Sequence, residues 1–122
     1  MKVFCDSSTK ESCVVIEGKE PSILPYIDAP VTNNVGEYRA VIRGIEFALY
    51  YLGLKEIEVL TDSEFVVNQV RGYDKFGHKW RKCLPHLLPL RERVRKLLQT
   101  KGVEISLGWL SREANLAGKV LG

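Results

Sequence analysis

Short apolar runs separated by polar turns open the chain and predict an antiparallel start. Residues 2–5 form a mostly apolar run, and residues 12–17 form a second one across the polar turn of residues 6–11. This spacing favours a hairpin. Residues 23–31 follow, where Pro25 and Pro30 permit only an irregular or edge strand, because proline cannot donate a hydrogen bond to a ladder.

The longest helical pattern runs from Val35 to Leu52. Its apolar side chains recur every three or four residues, as on the buried face of a helix. An Asn N-cap satisfies free backbone N–H groups, so we expect Asn33 or Asn34 to begin this helix. Glu37 would then lie in the first turn, and Gly53 would follow the last one.

Strands and helices alternate in the second half of the chain. Residues 55–61 and 103–109 read as strands, with Trp109 predicted to be buried, and residues 64–70, 85–100 and 116–121 read as helices. Asn115 is predicted to cap the last helix. Because a strand reached through a helix usually pairs in parallel, the predicted fold is α/β. Its mixed five-stranded sheet has three antiparallel strands first, a fourth and fifth parallel to the first, and helices on both faces.

Composition and length indicate a single globular domain over residues 1–122, with 45% hydrophobic and 27% charged residues. No apolar run approaches the ~20 residues of a membrane span, and no signal peptide is evident. Three cysteines without C-x-x-C spacing argue against a disulfide framework or zinc site, so a cytoplasmic location is expected, with a monomer as the default. Cys5 and Cys13 fall on neighbouring predicted strands; the thiols could approach each other, but we favour two small buried side chains.

The net charge of +3 is unevenly distributed. Residues 71–101 carry ten Lys or Arg against two acidic residues, a net +8, while the rest of the chain carries a net −5. A compact basic segment favours a polyanionic partner, although a solvated helix face has the same composition. Within it, Lys79, Trp80 and Arg81 are candidates for gripping a nucleic-acid strand, and a buried position is the alternative for Trp80.

Three carboxylates lie where predicted elements begin or end. Asp6 closes the first strand, Asp62 closes the fourth, and Glu37 lies near the start of the longest helix. Side chains at two strand ends and one helix start can converge, and Mg²⁺ prefers oxygen ligands of this kind. The sequence therefore predicts a divalent-metal site formed by these three residues.

These residues and their neighbours resemble type 1 ribonuclease H in its short form, without the basic protrusion. The resemblance spans essentially the whole chain and rests on residues 3–8 (VFCDSS), Thr32-Asn33-Asn34-x-x-Glu37, residues 60–67 (LTDSExVV) and residues 109–115 (WLSRExN). Two positions differ from the family: the usual Asp-Gly-Ser is Asp-Ser-Ser here, and Glu64 stands where Gln is common.

The resemblance implies a ribonuclease H-like fold and cleavage of the RNA strand of RNA–DNA hybrids, leaving 3′-hydroxyl and 5′-phosphate ends. It implies two Mg²⁺ or Mn²⁺ ions with substrate, held by Asp6, Glu37 and Asp62, with Asp6 bridging both. It also implies minor-groove contacts with the hybrid from Thr32, Asn33 and Asn34. Ser7 and Ser63 are further candidates for binding nucleic acid, beside Lys79, Trp80 and Arg81 of the basic segment.

One departure from the family affects the chemistry. The family carries a fourth Asp four residues after the Asn of its last motif, and that position here is Lys119. Three interpretations stay open: a weakened nuclease that relies on three carboxylates, replacement by Glu113, or a catalytically silent nucleic-acid-binding or accessory protein. An unrelated metabolic enzyme is disfavoured because no Gly-rich phosphate loop is present, and double-stranded RNA stays open as a further substrate.

Overall fold

The computed structural model describes residues 1–122 and contains one mixed sheet. Its strands are β1 (Lys2–Ser7), β2 (Glu11–Ile16), β3 (Ser22–Pro25), β4 (Glu56–Thr61) and β5 (Glu104–Trp109). They lie in the order β3-β2-β1-β4-β5, with β1, β2 and β3 antiparallel and β4 and β5 parallel to β1. The predicted topology is confirmed. β3 is an edge strand, as predicted, but it ends at Pro25, well before the end of the predicted segment.

Helices cover both faces of the sheet, as predicted. Three of them, α1 (Asn33–Glu46), α2 (Glu64–Arg71) and α3 (Leu88–Leu98), bury the larger core of 19 residues against one face. The short helix α4 (Leu116–Leu121) packs on the other face over a smaller core. The last turn of the first helix widens into a π-helix, Phe47–Tyr51, and Gly53 follows with a positive φ of 61°. None of the helices has the length and apolar character that a membrane span requires.

The predicted start of α1 was wrong by one or two residues. Thr32, in extended conformation, is the N-cap, and its hydroxyl accepts a hydrogen bond from the backbone N–H of Val35 at 3.4 Å. Asn33 and Asn34 are already helical, because the threonine hydroxyl takes the capping role that was assigned to an asparagine. Glu37 therefore lies in the second turn rather than the first.

Alternate residues of the strands divide between the two faces. Cys5 belongs to the larger core beneath α1, whereas Cys13 belongs to the smaller core beneath α4. The two thiols thus lie on opposite faces of the sheet and do not approach each other, and both are buried and free. Burial raises the pKa of Cys13 to about 11, so its thiol stays protonated at neutral pH.

Helix α1 lies unusually close to β1 because its contact face carries small residues. Gly36, Ala40 and Gly44 recur every four residues and are buried. A Cβ on Gly44 would overlap the Sγ of Cys5, and a Cβ on Gly36 would overlap the Oγ of Ser7. Only glycine leaves room for this approach, which sets how near Glu37 comes to the end of β1.

Tyr26 fastens the same contact from the side. Its hydroxyl donates to the carbonyl of Gly36 at 3.1 Å and shares a hydrogen bond with the Oγ of Ser7 at 2.6 Å. Its ring is covered by the guanidinium groups of Arg39 and Arg43, 5.4 and 5.0 Å from the centroid. One buried tyrosine therefore joins α1 to the end of β1.

We expect Gly44→Ala to lower the free energy of unfolding. Alanine favours a helix by about 1 kcal/mol over glycine, but forcing a methyl group into a packed core typically costs 1–3 kcal/mol. Urea denaturation of Gly44→Ala, Cys5→Ala and the double variant forms a cycle that isolates the contact. The double variant should regain most of the loss, because it lacks the sulfur. A Gly44→Ala protein as stable as the wild type would show that close approach does not require glycine there.

Candidate functional site

The sheet topology places two of the predicted carboxylates at the carboxyl ends of neighbouring interior strands. β1 and β4 are parallel neighbours in which Cys5 pairs with Thr61, so Asp6 and Asp62 occupy the next matching positions. Glu37 reaches the same place from α1. One carboxylate oxygen of each of these three residues lies within 4.8 Å of the others. The structure thus brings together all three carboxylates that the sequence singled out.

The carboxylate cluster, Asp6 with Glu37 and Asp62, concentrates negative charge in a half-buried place. Burial, followed by the charges of Asp6 and Asp62, raises the pKa of Glu37 to about 8. Burial and then Asp62 also raise the pKa of Asp6, whose side chain is only 8% exposed. Arg112 opposes both increases. The cluster is therefore electrostatically strained as it stands.

The residues present fit a divalent cation. Oε2 of Glu37 is buried and has no hydrogen-bond partner. A buried polar atom without a partner costs free energy, and three adjacent carboxylates repel one another. A hard cation such as Mg²⁺ or Mn²⁺ takes oxygen ligands and would relieve both costs. Asp6, Glu37 and Asp62 are the side chains that would hold it.

Asn115 holds helix α4 against the end of β1. Its side chain is fully buried, its Nδ2 donates to the carbonyl of Cys5 at 2.9 Å, and its Oδ1 accepts from the backbone N–H of Ala117 at 3.1 Å. The predicted capping role is confirmed. One turn further on, Gly118 faces the cluster, since a Cβ there would lie 3.3 Å from Oδ2 of Asp6.

The position of the family's fourth carboxylate carries no acid. Lys119 is exposed. The cation that limits the increase in the pKa values of Asp6 and Glu37 is Arg112. Glu113 is also exposed, and the cluster has only its three members. The structure therefore gives no support to Glu113 as a replacement ligand.

Two neighbours of the cluster, Arg112 and Gly118, were missed by sequence reasoning. A glycine inside a predicted helix of six residues was an available signal, because glycine disfavours helix interiors. Arg112 belongs to the motif of residues 109–115, but the motif does not indicate that its side chain, at the start of the 3-10 helix Arg112–Ala114, acts on the cluster.

Five of the residues predicted to contact nucleic acid lie near the carboxylate cluster, and the other three, residues 79–81, lie between α2 and α3. Thr32, Asn33 and Asn34 are exposed or partly exposed at the start of α1, one turn before Glu37. Ser63 caps α2, where its Oγ accepts from a backbone N–H at 3.2 Å, and the Ser7 hydroxyl is engaged by Tyr26. Both serines are partly exposed but already serve hydrogen bonds within the chain.

Residues 73–82 form a basic connector between α2 and α3 and contain a tight turn. Asp74 Oδ1 accepts the backbone N–H groups of Phe76 and His78, both at 2.9 Å, and Tyr73 pairs with Lys79 across the turn. Lys79 is exposed, as a phosphate contact requires.

Of the two tryptophans, only Trp109 differs from its predicted position. Trp80 is half-buried, with its ring edge-on to Phe65 at 6.3 Å between centroids and the exposed Arg81 guanidinium 4.9 Å from its centroid. Trp109, predicted to be buried, is 48% exposed, and its Nε1 donates to the carbonyl of Asp62 at 3.1 Å. That prediction was wrong because Trp109 is the last residue of an edge strand, where the helices that bury Leu107 do not fully cover it.

Comparisons with known proteins agree with this geometry. The model of the family described as reverse transcriptase-like matches residues 25–121. Two curated relatives, a bifunctional protein of Mycobacterium tuberculosis and an uncharacterised protein of Mycobacterium bovis, are each 37% identical over 84 residues, or 69% of this chain. The chain spans only 21% of the length of these relatives.

Solved structures cover nearly the whole chain. The N-terminal RNase H domain of that M. tuberculosis protein is 27% identical with a TM-score of 0.73, over 98% of this chain and 93% of that one. RNase H1 from Halobacterium salinarum is 25% identical with a TM-score of 0.77, over 98% and 92%. LC11-RNase H1, solved in complex with an RNA/DNA hybrid, shares the fold at 21% identity and a TM-score of 0.72, over 99% of both chains.

Without divalent metal, we expect the free energy of unfolding to fall as pH rises. The pKa of Glu37 increases on folding from near 4.5 to about 8, so the folded state binds more protons than the unfolded state within that window. Urea denaturation in EDTA across this range should show a negative slope. Glu37→Gln should reduce the slope, leaving the part due to Asp6, whose pKa moves the same way.

The matched control for this experiment is Glu113→Gln, which removes an exposed carboxylate outside the cluster and should keep the wild-type slope. A wild-type stability that stayed level or rose between pH 4.5 and 8 would contradict the strained state of Glu37.

Proposed function

The chain belongs to the reverse transcriptase-like family and is a type 1 ribonuclease H-like protein, and on this premise we propose a metal-dependent endonuclease acting on RNA–DNA hybrids. It would hydrolyse the RNA strand and leave 3′-hydroxyl and 5′-phosphate ends. The observation that supports this most is the carboxylate cluster, in which strands β1 and β4 and helix α1 each contribute one acid within 4.8 Å.

Asp6, Glu37 and Asp62 would hold Mg²⁺ or Mn²⁺, and two ions are expected when a substrate phosphate adds its oxygens. Such ions supply an activated water and neutralise the charge on the scissile phosphate. The chain's own contribution is to fix the three acids close together, while burial favours the protonated form of Glu37 until a cation binds. Asp6 is held by the burial of β1, and Glu37 is held by the close packing of α1.

Substrate positioning falls to the polar residues around the cluster. Thr32, Asn33 and Asn34 lie one turn from Glu37, where they would meet the minor groove and the 2′-hydroxyls that distinguish RNA from DNA. Lys79 and Arg81, both exposed, would neutralise phosphates of the DNA strand. The complex of LC11-RNase H1 with an RNA/DNA hybrid supports this choice of partner.

A catalytically silent hybrid-binding protein is the second candidate. One observation favours it: Gly118 lies next to Asp6, and the following residue, where the family carries its fourth acid, is the exposed Lys119. Three carboxylates would then bind a cation without supporting efficient hydrolysis.

Metal binding can be tested without an activity assay. Mg²⁺ or Mn²⁺ should increase the free energy of unfolding of the wild type by about 2.7 kcal/mol at 100 times the dissociation constant. The melting temperature should rise accordingly. Asp62→Asn should remove most of this gain and stabilise the metal-free protein, because it relieves the repulsion with Glu37. Glu58→Gln, an exposed acid of the same strand outside the cluster, is the control and should respond like the wild type. A wild type that no divalent ion stabilises would contradict the metal site.

Cleavage of a labelled RNA–DNA hybrid tests the activity. We expect the wild type to cut the RNA strand with Mg²⁺ or Mn²⁺, and Asp6→Asn to lower the rate by roughly two orders of magnitude or more, as losing a preorganised charge stabiliser does. Cleavage that survives Asp6→Asn would come from another site. Double-stranded RNA of the same sequence serves as the second substrate and defines the range.

Lys119→Asp separates the two candidates. Lys101→Asp, which makes the same charge change at an exposed position outside the last helix, is its matched control. If the wild type does not cleave and only the Lys119→Asp variant does, the catalytically silent candidate is supported. An active wild type would establish a nuclease that works with three carboxylates.

A further inference from the structure

A cavity of about 300 Å³ lies beside the carboxylate cluster, between α2, the basic connector and the end of β5. Both tryptophans of the chain, Trp80 and Trp109, line it together with Phe76 and polar or charged side chains that include Glu64, Asn68, Arg71 and Lys75. We call it the aromatic cavity.

Large rings of the aromatic cavity are open to solvent. Trp109 is 48% exposed and Phe76 is 73% exposed. The Trp80 ring is held in place by packing on Phe65 and Arg81, and its indole N–H is buried without a hydrogen-bond partner. Exposed aromatic faces on fixed supports stack nucleobases with little regard to sequence.

Polar groups of the cavity suit the edge and the phosphate of a nucleotide. Glu64 and Asn68 lie one turn apart on α2, and they offer a carboxylate acceptor and an amide that both donates and accepts. Arg71 is anchored by a hydrogen bond to the carbonyl of Leu107 at 2.8 Å, and Lys75 Nζ lies 5.4 Å from the Phe76 centroid. This mixture of stacking faces, hydrogen-bonding edges and cations is unlike a site for a purely apolar ligand.

One side of the aromatic cavity adjoins Asp62 of the carboxylate cluster. The Trp109 indole donates to the backbone carbonyl of Asp62, and Glu64 lies two residues after Asp62. A strand bound at the cluster would therefore carry its neighbouring nucleotides past the cavity. Bases inside a duplex are stacked on each other and cannot enter, whereas unpaired bases can leave the strand and stack on protein rings.

We propose that the aromatic cavity binds an unpaired nucleobase of a single-stranded overhang adjoining the hybrid. The inference rests on the proposed hybrid-binding function and extends it to the junction between paired and unpaired nucleic acid. The protein then prefers hybrids with single-stranded ends or gaps to fully paired ones.

The chain supplies its own probe, because its two tryptophans both line the aromatic cavity. The experiment titrates the wild type in EDTA, which prevents metal-dependent cleavage, with a blunt RNA–DNA hybrid and with hybrids bearing a short DNA or RNA overhang at either end. Tryptophan fluorescence reports entry into the cavity, and anisotropy of a labelled hybrid reports total affinity. We expect overhangs to bind roughly tenfold tighter than the blunt hybrid and to quench the fluorescence.

Phe76→Ala is the main variant, because this exposed ring at the tip of the connector can be removed without opening the core. It should abolish most of the overhang preference and leave blunt-hybrid affinity within about twofold. Trp109→Phe keeps a stacking ring and should retain the preference, whereas Trp109→Leu should lose it. Tyr51→Ala, an equally exposed aromatic outside the cavity, is the matched control and should behave like the wild type.

The outcomes separate this inference from the proposed function. Equal affinity for blunt and overhanging hybrids, with unquenched tryptophans, would overturn the aromatic cavity as a base site while hybrid binding stands. Absence of binding to every hybrid, both in EDTA and with Mg²⁺ added, would overturn the proposed function itself. Preference for only DNA or only RNA overhangs would identify which strand enters.

Discussion

The contact between α1 and β1 at Gly36, Ala40 and Gly44 is the constraint on which the rest of the structure depends. Because glycine has no Cβ, the helix backbone comes down onto Ser7 and Cys5, and Glu37 is carried to the end of the strand. Tyr26 closes the same contact by bridging the helix and the strand through its hydroxyl. A wider spacing would leave the strand carboxylates without their third partner.

The carboxylate cluster is a local cost that the packing around it sustains. Three acids are held within 4.8 Å, and the charges of Asp6 and Asp62 together with burial keep the Glu37 pKa far above its ordinary value. The larger core of 19 buried residues on the helical face supplies the apolar burial that offsets this repulsion. The buried core thus fixes the positions of the elements, while the acidic side chains lie at the carboxyl ends of β1 and β4 and on α1.

Much of this arrangement could be predicted from sequence, because it follows from local pattern and chain topology. Short apolar runs indicated the strands, right-handed crossovers indicated the parallel pairing, and the parallel register brought Asp6 beside Asp62. The errors arose where the burial of a residue depends on packing between elements that are distant in sequence. The alternation in β5 grouped Trp109 with Leu107, but the pattern does not say how far the helices extend over an edge strand. Likewise, the glycine within the last helix marked Gly118 as unusual but did not indicate that it would lie against Asp6, because β1 and α4 are distant in sequence.

The hydrogen bond from Asn115 to the carbonyl of Cys5 joins residues 110 positions apart. During synthesis on the ribosome, at about 5–20 residues per second, Asn115 is added roughly 5 to 20 s after Cys5. β1, β2 and α1 can pair and pack in that interval, but α4 cannot dock beside Asp6 until Asn115 has left the ribosome. All three acids of the carboxylate cluster are therefore synthesised before the helix that packs beside Asp6 is available.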